Sequence, residues 1–242
     1  MGFTLASTLE RLNMLADPDA LPAMRRFALT GKNRLGISIP TLRKLAKEIG
    51  TDHTLALALW GTAIPEAQIL ATLIADPHQA TSEQMDQWAR SLTAWDICDA
   101  ACNNLFVRTP FAWKKVYQWA REEPEFTRRA GYVLIACLAT HDKQAPDQQF
   151  MDTFTLITSA ATDPRNFVKK AVNWAIRGIG KRNLALNQAA ITLCEDIQAI
   201  DDATAHWIAT DALRELSSKK IQQRLIKKAS KKKGKQLCFL SF

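Results

Sequence analysis

Apolar residues recur at three- and four-residue steps along most of the chain, as in IPTLRKLAKEIG (39–50), PEAQILATLIADP (65–77) and FMDTFTLITSAAT (150–162). That spacing predicts amphipathic helices, and no segment alternates with the two-residue step of a strand. The breaks carry helix punctuation: Asp17-Pro18, Asp76-Pro77, Glu123-Pro124 and Asp163-Pro164, with Gly50 where a helix C-cap wants it. About twelve to fourteen helices joined by short loops are expected.

The helices also repeat. FTRRAGYVLIA from Phe126, FVKKAVNWAIR from Phe167 and IATDALRELSS from Ile208 share one order: apolar, any, two polar, alanine, then an apolar-rich stretch. Successive starts lie about 41 residues apart, within the roughly 40–47 of HEAT and armadillo helix-pair repeats. Such a pair cannot bury its apolar stripe alone, so neighbours stack and the array curves. The pattern predicts an all-α fold, a curved α-solenoid of HEAT-like helix-pair repeats. Residues 1–218 are expected to form one solenoid domain. Residues 219–242 form a basic extension, helical at its start and then disordered.

Charge refines this picture. The net charge is +8, but nine Lys/Arg and no acid lie between Lys219 and Lys235, leaving 23 bases against 24 acids in residues 1–218. A near-neutral body attracts a polyanion only if its bases gather on one face. In the repeat register Arg128 and Arg129 align with Lys169 and Lys170, which predicts a basic ridge, ended in the third repeat by Thr210 and Asp211. Ordinary solvated helix charges are the alternative reading of the same residues. No apolar run approaches the roughly 18–20 residues of a membrane span. Five scattered cysteines do not suggest a disulfide framework, so a reducing, cytoplasmic setting is expected.

Few residues carry recognisable chemistry. His53, His78, His141 and His206 are widely separated and lack metal-ligand spacing. Cys98 and Cys102, one turn apart, read as buried small hydrophobes rather than metal ligands. Gly178-Ile179-Gly180-Lys181 lacks the rest of a phosphate loop and reads as a glycine-capped helix end. The segment SLTAWDICDAAC (91–102) is more informative. Thr93 and Asp96 fit a capping box, giving Asp96 a structural task. Asp99 lies four residues after Trp95, on the same side of a helix. A partly desolvated carboxylate beside an indole is a receptor for a cation. A salt bridge from Asp99 to Arg128 or Arg129 is the competing use.

Several of these segments, in order, resemble the AlkD family of DNA alkylation repair glycosylases: LGISIPTLR (35–43), Leu59-Trp60, WDICD (95–99), RRA (128–130) and KKAVNWAIR (169–177). The resemblance runs over residues 1 to about 216. It implies a monomeric HEAT-like enzyme that grips double-stranded DNA carrying alkylated bases and hydrolyses the N-glycosidic bond of cationic alkylpurines. No cofactor, metal or membrane is implied. On that resemblance Asp99 is the catalytic carboxylate and Trp95 and Trp174 contact the damaged nucleotide. Arg129 holds the adjacent backbone, with Arg128 as its substitute in an ambiguous register, and Lys169 and Lys170 meet DNA phosphates. The basic tail and the Cys98/Cys102 pair depart from the family pattern. A non-catalytic HEAT-repeat protein binding damaged or branched DNA is the alternative.

Overall fold

The computed structural model describes residues 2–29, 31 and 33–239, with side chains described as far as Lys231. Among the described residues are fifteen α-helices and no strand. They fall into two compact units, Met1–Trp113 and Lys114–Phe242, where the sequence pattern suggests one domain to residue 218. None of the described helices is long and apolar enough to cross a membrane.

The first unit holds α1 (Leu5–Met14), α2 (Leu21–Arg26), α3 (Ile39–Ile49), α4 (His53–Trp60), α5 (Pro65–Ile74), α6 (Ser82–Arg90), α7 (Trp95–Ala100) and the start of α8 (Ala112–Trp119). Local chemistry sets many of these ends. Thr4 and Ser7 close a capping box on α1, and the side chains of Ser38, Asp52 and Thr81 accept backbone N–H groups at the starts of α3, α4 and α6. Gly50 ends α3 with φ 79°, as its position in the sequence suggests. Every residue of α5 except Leu73 is buried, making it the central helix of this unit. Beside it Trp60 and Trp88 stack with ring centroids 3.9 Å apart and planes 2° from parallel. The Trp60 indole N–H donates to Ser91 Oγ at 3.0 Å.

The second unit holds α9 (Glu125–His141), α10 (Asp147–Met151), α11 (Phe154–Ser159), α12 (Asn166–Gly180), α13 (Leu184–Gln198), α14 (Ala203–Leu216) and α15 (Lys219–Phe239). Here α12 packs against α9, α13 and α14. The 41-residue period is physical: Phe126 and Phe167, both first in their repeats, meet with ring centroids 5.3 Å apart. Side chains also reach from one repeat to the first residue of the next. Arg129 Nη1 donates to the Phe167 carbonyl at 2.6 Å, and the buried Asn173 donates to the Ile208 carbonyl at 3.1 Å.

Two local expectations are corrected. The segment 150–162 is not one helix: α10 ends at Met151 and α11 starts at Phe154. The buried Thr153 hydroxyl turns back to the Phe150 carbonyl at 2.7 Å, competing with a continuous helix. Gly178 and Gly180 lie inside the last turn of α12, with Lys181 as the C-cap, so neither caps the helix. A Cβ on Gly180 would come within 2.7 Å of Leu216 and one on Gly178 within 3.2 Å of the Ala136 backbone, so these glycines permit close helix contact. Finally, α15 runs from Lys219 to Phe239 and docks on its unit. Ile221 and Leu225 are buried, and Gln222 Nε2 donates to Asn187 Oδ1 at 2.9 Å and to the Leu216 carbonyl at 2.7 Å. The disorder expected toward the end of the tail concerns residues 232–242, whose side chains lie outside the described ones.

Candidate functional site

In the first unit, the segment around Asp99 is anchored differently from the capping box expected of Thr93 and Asp96. The N-cap of α7 is Ala94, in extended conformation and without a side-chain cap, so Trp95 is the first helical residue and Asp96 the second. Asp96 instead takes a bidentate pair of hydrogen bonds from Arg34, at 2.8 Å from Nη1 and 3.2 Å from Nη2. Arg34 Nη1 is also 3.8 Å from Glu66, and the two side chains are 3% and 1% exposed. Glu66 accepts the backbone N–H groups of Leu35 and Gly36, each at 3.0 Å. Gly36 has φ 79°, and a Cβ there would lie 2.0 Å from the Asp17 carbonyl oxygen. The stretch before α3 is thus clamped onto α5 by Glu66 and onto α7 by Arg34.

This clamp presents Trp95 and Asp99. The Trp95 indole N–H donates to the Phe27 carbonyl at 2.9 Å, which fixes the half-buried ring. Asp99 is half-buried, one turn on, while Ile97 and Cys98 of the same turn are buried. Helix α7 then widens into a π-helical turn over Ala101–Leu105, a form found mostly as single turns at functional sites. Asn104 in that turn donates to Thr72 Oγ1 of α5 at 2.9 Å. Cys98 and Cys102 are fully buried, as expected of small hydrophobes. Elsewhere burial pushes the Cys194 thiol up to about 12 and keeps it protonated.

In the second unit the paired bases do not form an open ridge. Arg128 donates to Asp163 at 3.2 Å and to the Glu122 carbonyl at 2.7 Å, and Arg129 is buried. Lys169 Nζ lies 4.8 Å from the centroid of the Trp207 ring, and Lys170 is exposed. Of the four, Arg128 and Arg129 are therefore built into the repeat packing, whereas Lys169 and Lys170 stand on the surface.

Asp163 binds Arg165 as well as Arg128, its Oδ1 accepting from Arg165 Nε at 2.8 Å. Burial alone would raise its pKa, but hydrogen bonds and charge from Arg165, with Arg128, hold it below the usual carboxylate value. A depressed carboxylate contributes stability above its unfolded pKa of about 3.9 and loses it as pH falls through the folded value. Asp163→Asn should lower stability at pH 7 by about 1.5–3 kcal/mol, the range for hydrogen bonds to charged groups. The deficit relative to wild type should shrink when urea unfolding is repeated near pH 2.5. A deficit equal at both pH values would contradict this linkage.

Trp174 borders a cleft of about 680 Å³ within the second unit, lined also by Thr140, Gly178, Glu215 and Ser218. Six bases line it: Lys143, Lys181, Arg182, Lys220, Arg224 and Lys228. Glu215 is their single carboxylate partner in the lining, at 2.9 Å from Lys181, and it also binds Arg177 at 2.8 Å. Burial opposes its ionisation, yet Lys181 and Arg177 keep its pKa low. Arg182 is spoken for, donating to the Ala139 and Asp142 carbonyls at 3.0 and 2.8 Å and stacking 4.1 Å from the centroid of Phe150. Reading the tail as a separate extension missed this cleft. The signal was its spacing: Lys220, Arg224 and Lys228 recur every four residues beside the docking pair Ile221 and Leu225.

The sequence profile that describes DNA alkylation repair enzymes matches residues 8–229. The chain belongs to the DNA alkylation repair enzyme family. No curated protein sequence matches it. A solved structure from "a new family of proteins related to the HEAT-like repeat DNA glycosylases with affinity for branched DNA structures" superposes with a TM-score of 0.74 at 15% identity, covering 88% of this chain and 95% of that one. A designed armadillo repeat protein, also 15% identical, covers 73% of this chain and 92% of itself with a TM-score of 0.35, too low to bear on the fold. The DNA alkylation repair family and the HEAT-like fold thus agree with the resemblance carried by residues 35–43, 95–99, 128–130 and 169–177.

Proposed function

We propose that this chain is a monofunctional DNA glycosylase acting on purines that carry a positive charge from N3- or N7-alkylation in duplex DNA. The observation that carries the reading is the placement of a half-buried carboxylate, Asp99, one turn of α7 after Trp95, whose indole the Phe27 carbonyl holds, in a member of the DNA alkylation repair family. An alkylated cationic purine is already a good leaving group. When its bond to C1′ breaks, the electron pair stays on the base and neutralises it, so no general acid is required. The enzyme's task is to stabilise the positive charge that develops on the sugar and to direct a water at C1′.

Asp99 supplies the anion for that charge and accepts the proton of the attacking water, leaving a C1′ hydroxyl and an abasic site. Trp95 offers a π face to a cationic base, a contact of about 0.5–2 kcal/mol depending on desolvation. The surface bases Lys169 and Lys170 serve the phosphates, while Arg128 and Arg129, held by Asp163 and by the Phe167 carbonyl, set the packing behind them. No lysine nucleophile enters, so the strand stays uncut.

A second reading, binding of branched DNA without base excision, is favoured by what is said of the structural relative with TM-score 0.74. Incubating the purified protein with methylated duplex DNA and measuring freed 3-methyladenine and 7-methylguanine separates the two. Release supports the glycosylase; full binding with no release leaves the branched-DNA reading.

A further inference from the structure

The cleft beside Trp174 combines features that neither duplex binding nor excision requires. On α15, Lys220, Arg224 and Lys228 form one stripe, four residues and so about 6 Å of helix rise apart. Burial of Ile221 and Leu225 and the hydrogen bonds of Gln222 fix the rotation of α15, so the stripe is turned into the cleft. Lys143 of the segment after α9 completes the rim; its ammonium donates to the Thr140 carbonyl, and that of Lys228 to the Arg182 carbonyl. An ammonium carries three donors, so the carbonyl that Lys143 meets takes only one of them.

The volume matters as much as the charge. A cleft of about 680 Å³ accepts a nucleotide and not a double helix. An aromatic face among cations is the chemistry by which proteins hold unpaired strands, base stacked and backbone neutralised. We propose that this cleft binds an unpaired DNA strand, with a base on Trp174 and the adjoining phosphates on Lys220, Arg224 and Lys228. Helix α15 is then a strand-binding element. The proposal rests on DNA being the ligand and is independent of base excision.

The test compares a forked duplex bearing one single-stranded arm with a blunt duplex, by fluorescence anisotropy over a range of salt. The variant Lys220→Ala/Arg224→Ala/Lys228→Ala should bind the fork about tenfold or more weakly, lower the log–log salt slope by about 2, and bind the blunt duplex within about threefold of wild type. Lys219→Ala/Lys227→Ala/Lys231→Ala removes the same charge from exposed positions of α15 outside the cleft lining and should keep the fork preference. Equal loss by the two triples, or equal loss on fork and blunt duplex, would overturn the proposal in favour of general polyanion attraction. Trp174→Ala should weaken fork binding roughly tenfold with the salt slope unchanged; unchanged fork affinity would remove the stacking. Circular dichroism checks that α15 persists in each variant. Base release is measured separately, so failure of the glycosylase reading leaves this result intact.

Discussion

Asp99→Asn should lower the single-turnover rate of 7-methylguanine release by about a hundredfold to a thousandfold, the loss typical of removing one group aimed at transition-state charge. The substitution keeps the size and polarity of the side chain and deletes its charge. On the proposed reading, ground-state binding of alkylated duplex rests on the Trp95 indole and the phosphate contacts, so affinity should stay within about threefold. That split between rate and affinity is the signature of a group whose interaction strengthens as the bond breaks. The measurement is release of the radiolabelled base under enzyme excess, with binding followed by anisotropy on the same duplex. If Asp99→Asn releases the base as fast as wild type, Asp99 is not the catalytic carboxylate.

Arg34→Ala has the largest expected effect on the fold of the first unit. It leaves Glu66, 1% exposed, and Asp96 without their shared cation, and removing one partner of a buried ionic cluster costs about 3–5 kcal/mol. Arg34→Lys should recover only part of this, because an ammonium cannot make the bidentate pair that Arg34 makes with Asp96. The start of α7 depends on that pair, having no side-chain cap of its own. Urea unfolding should show a lower midpoint for Arg34→Ala, and base release should fall although Arg34 touches no reacting atom. The double variant Arg34→Ala/Asp96→Asn should be less impaired than the two single effects added. Wild-type stability of Arg34→Ala would refute the clamp.

These predictions draw unevenly on the sequence. Periodicity placed α3 and α5, and the 41-residue interval aligned Phe126 with Phe167, which meet in the fold. Both signals live in neighbouring or regularly spaced residues. The capping box at Thr93 failed because the partner of Asp96 is Arg34, 62 positions away. The repeat register lines up Arg128 and Arg129 with Lys169 and Lys170, but register does not reveal that Asp163 would claim Arg128. Likewise the count of bases after Ser218 described a tail, whereas the four-residue spacing of Ile221 and Leu225 marked a docked helix. Local pattern fixes the phase of each helix; remote carboxylates and carbonyls decide which side chains stay available.

Arg129 and Asn173 each reach forward to the first carbonyl of the following repeat, a rule with no natural stopping point. An array built this way exposes at its last member the surface that would receive another copy, and copies joined head to tail grow into filaments. Helix α15 occupies that surface with Ile221, Leu225 and Gln222, and presents exposed Lys219, Lys227 and Lys231 outward. The basic helix that looked like an appendix thus also acts as the cap that a stack of repeats needs at its end.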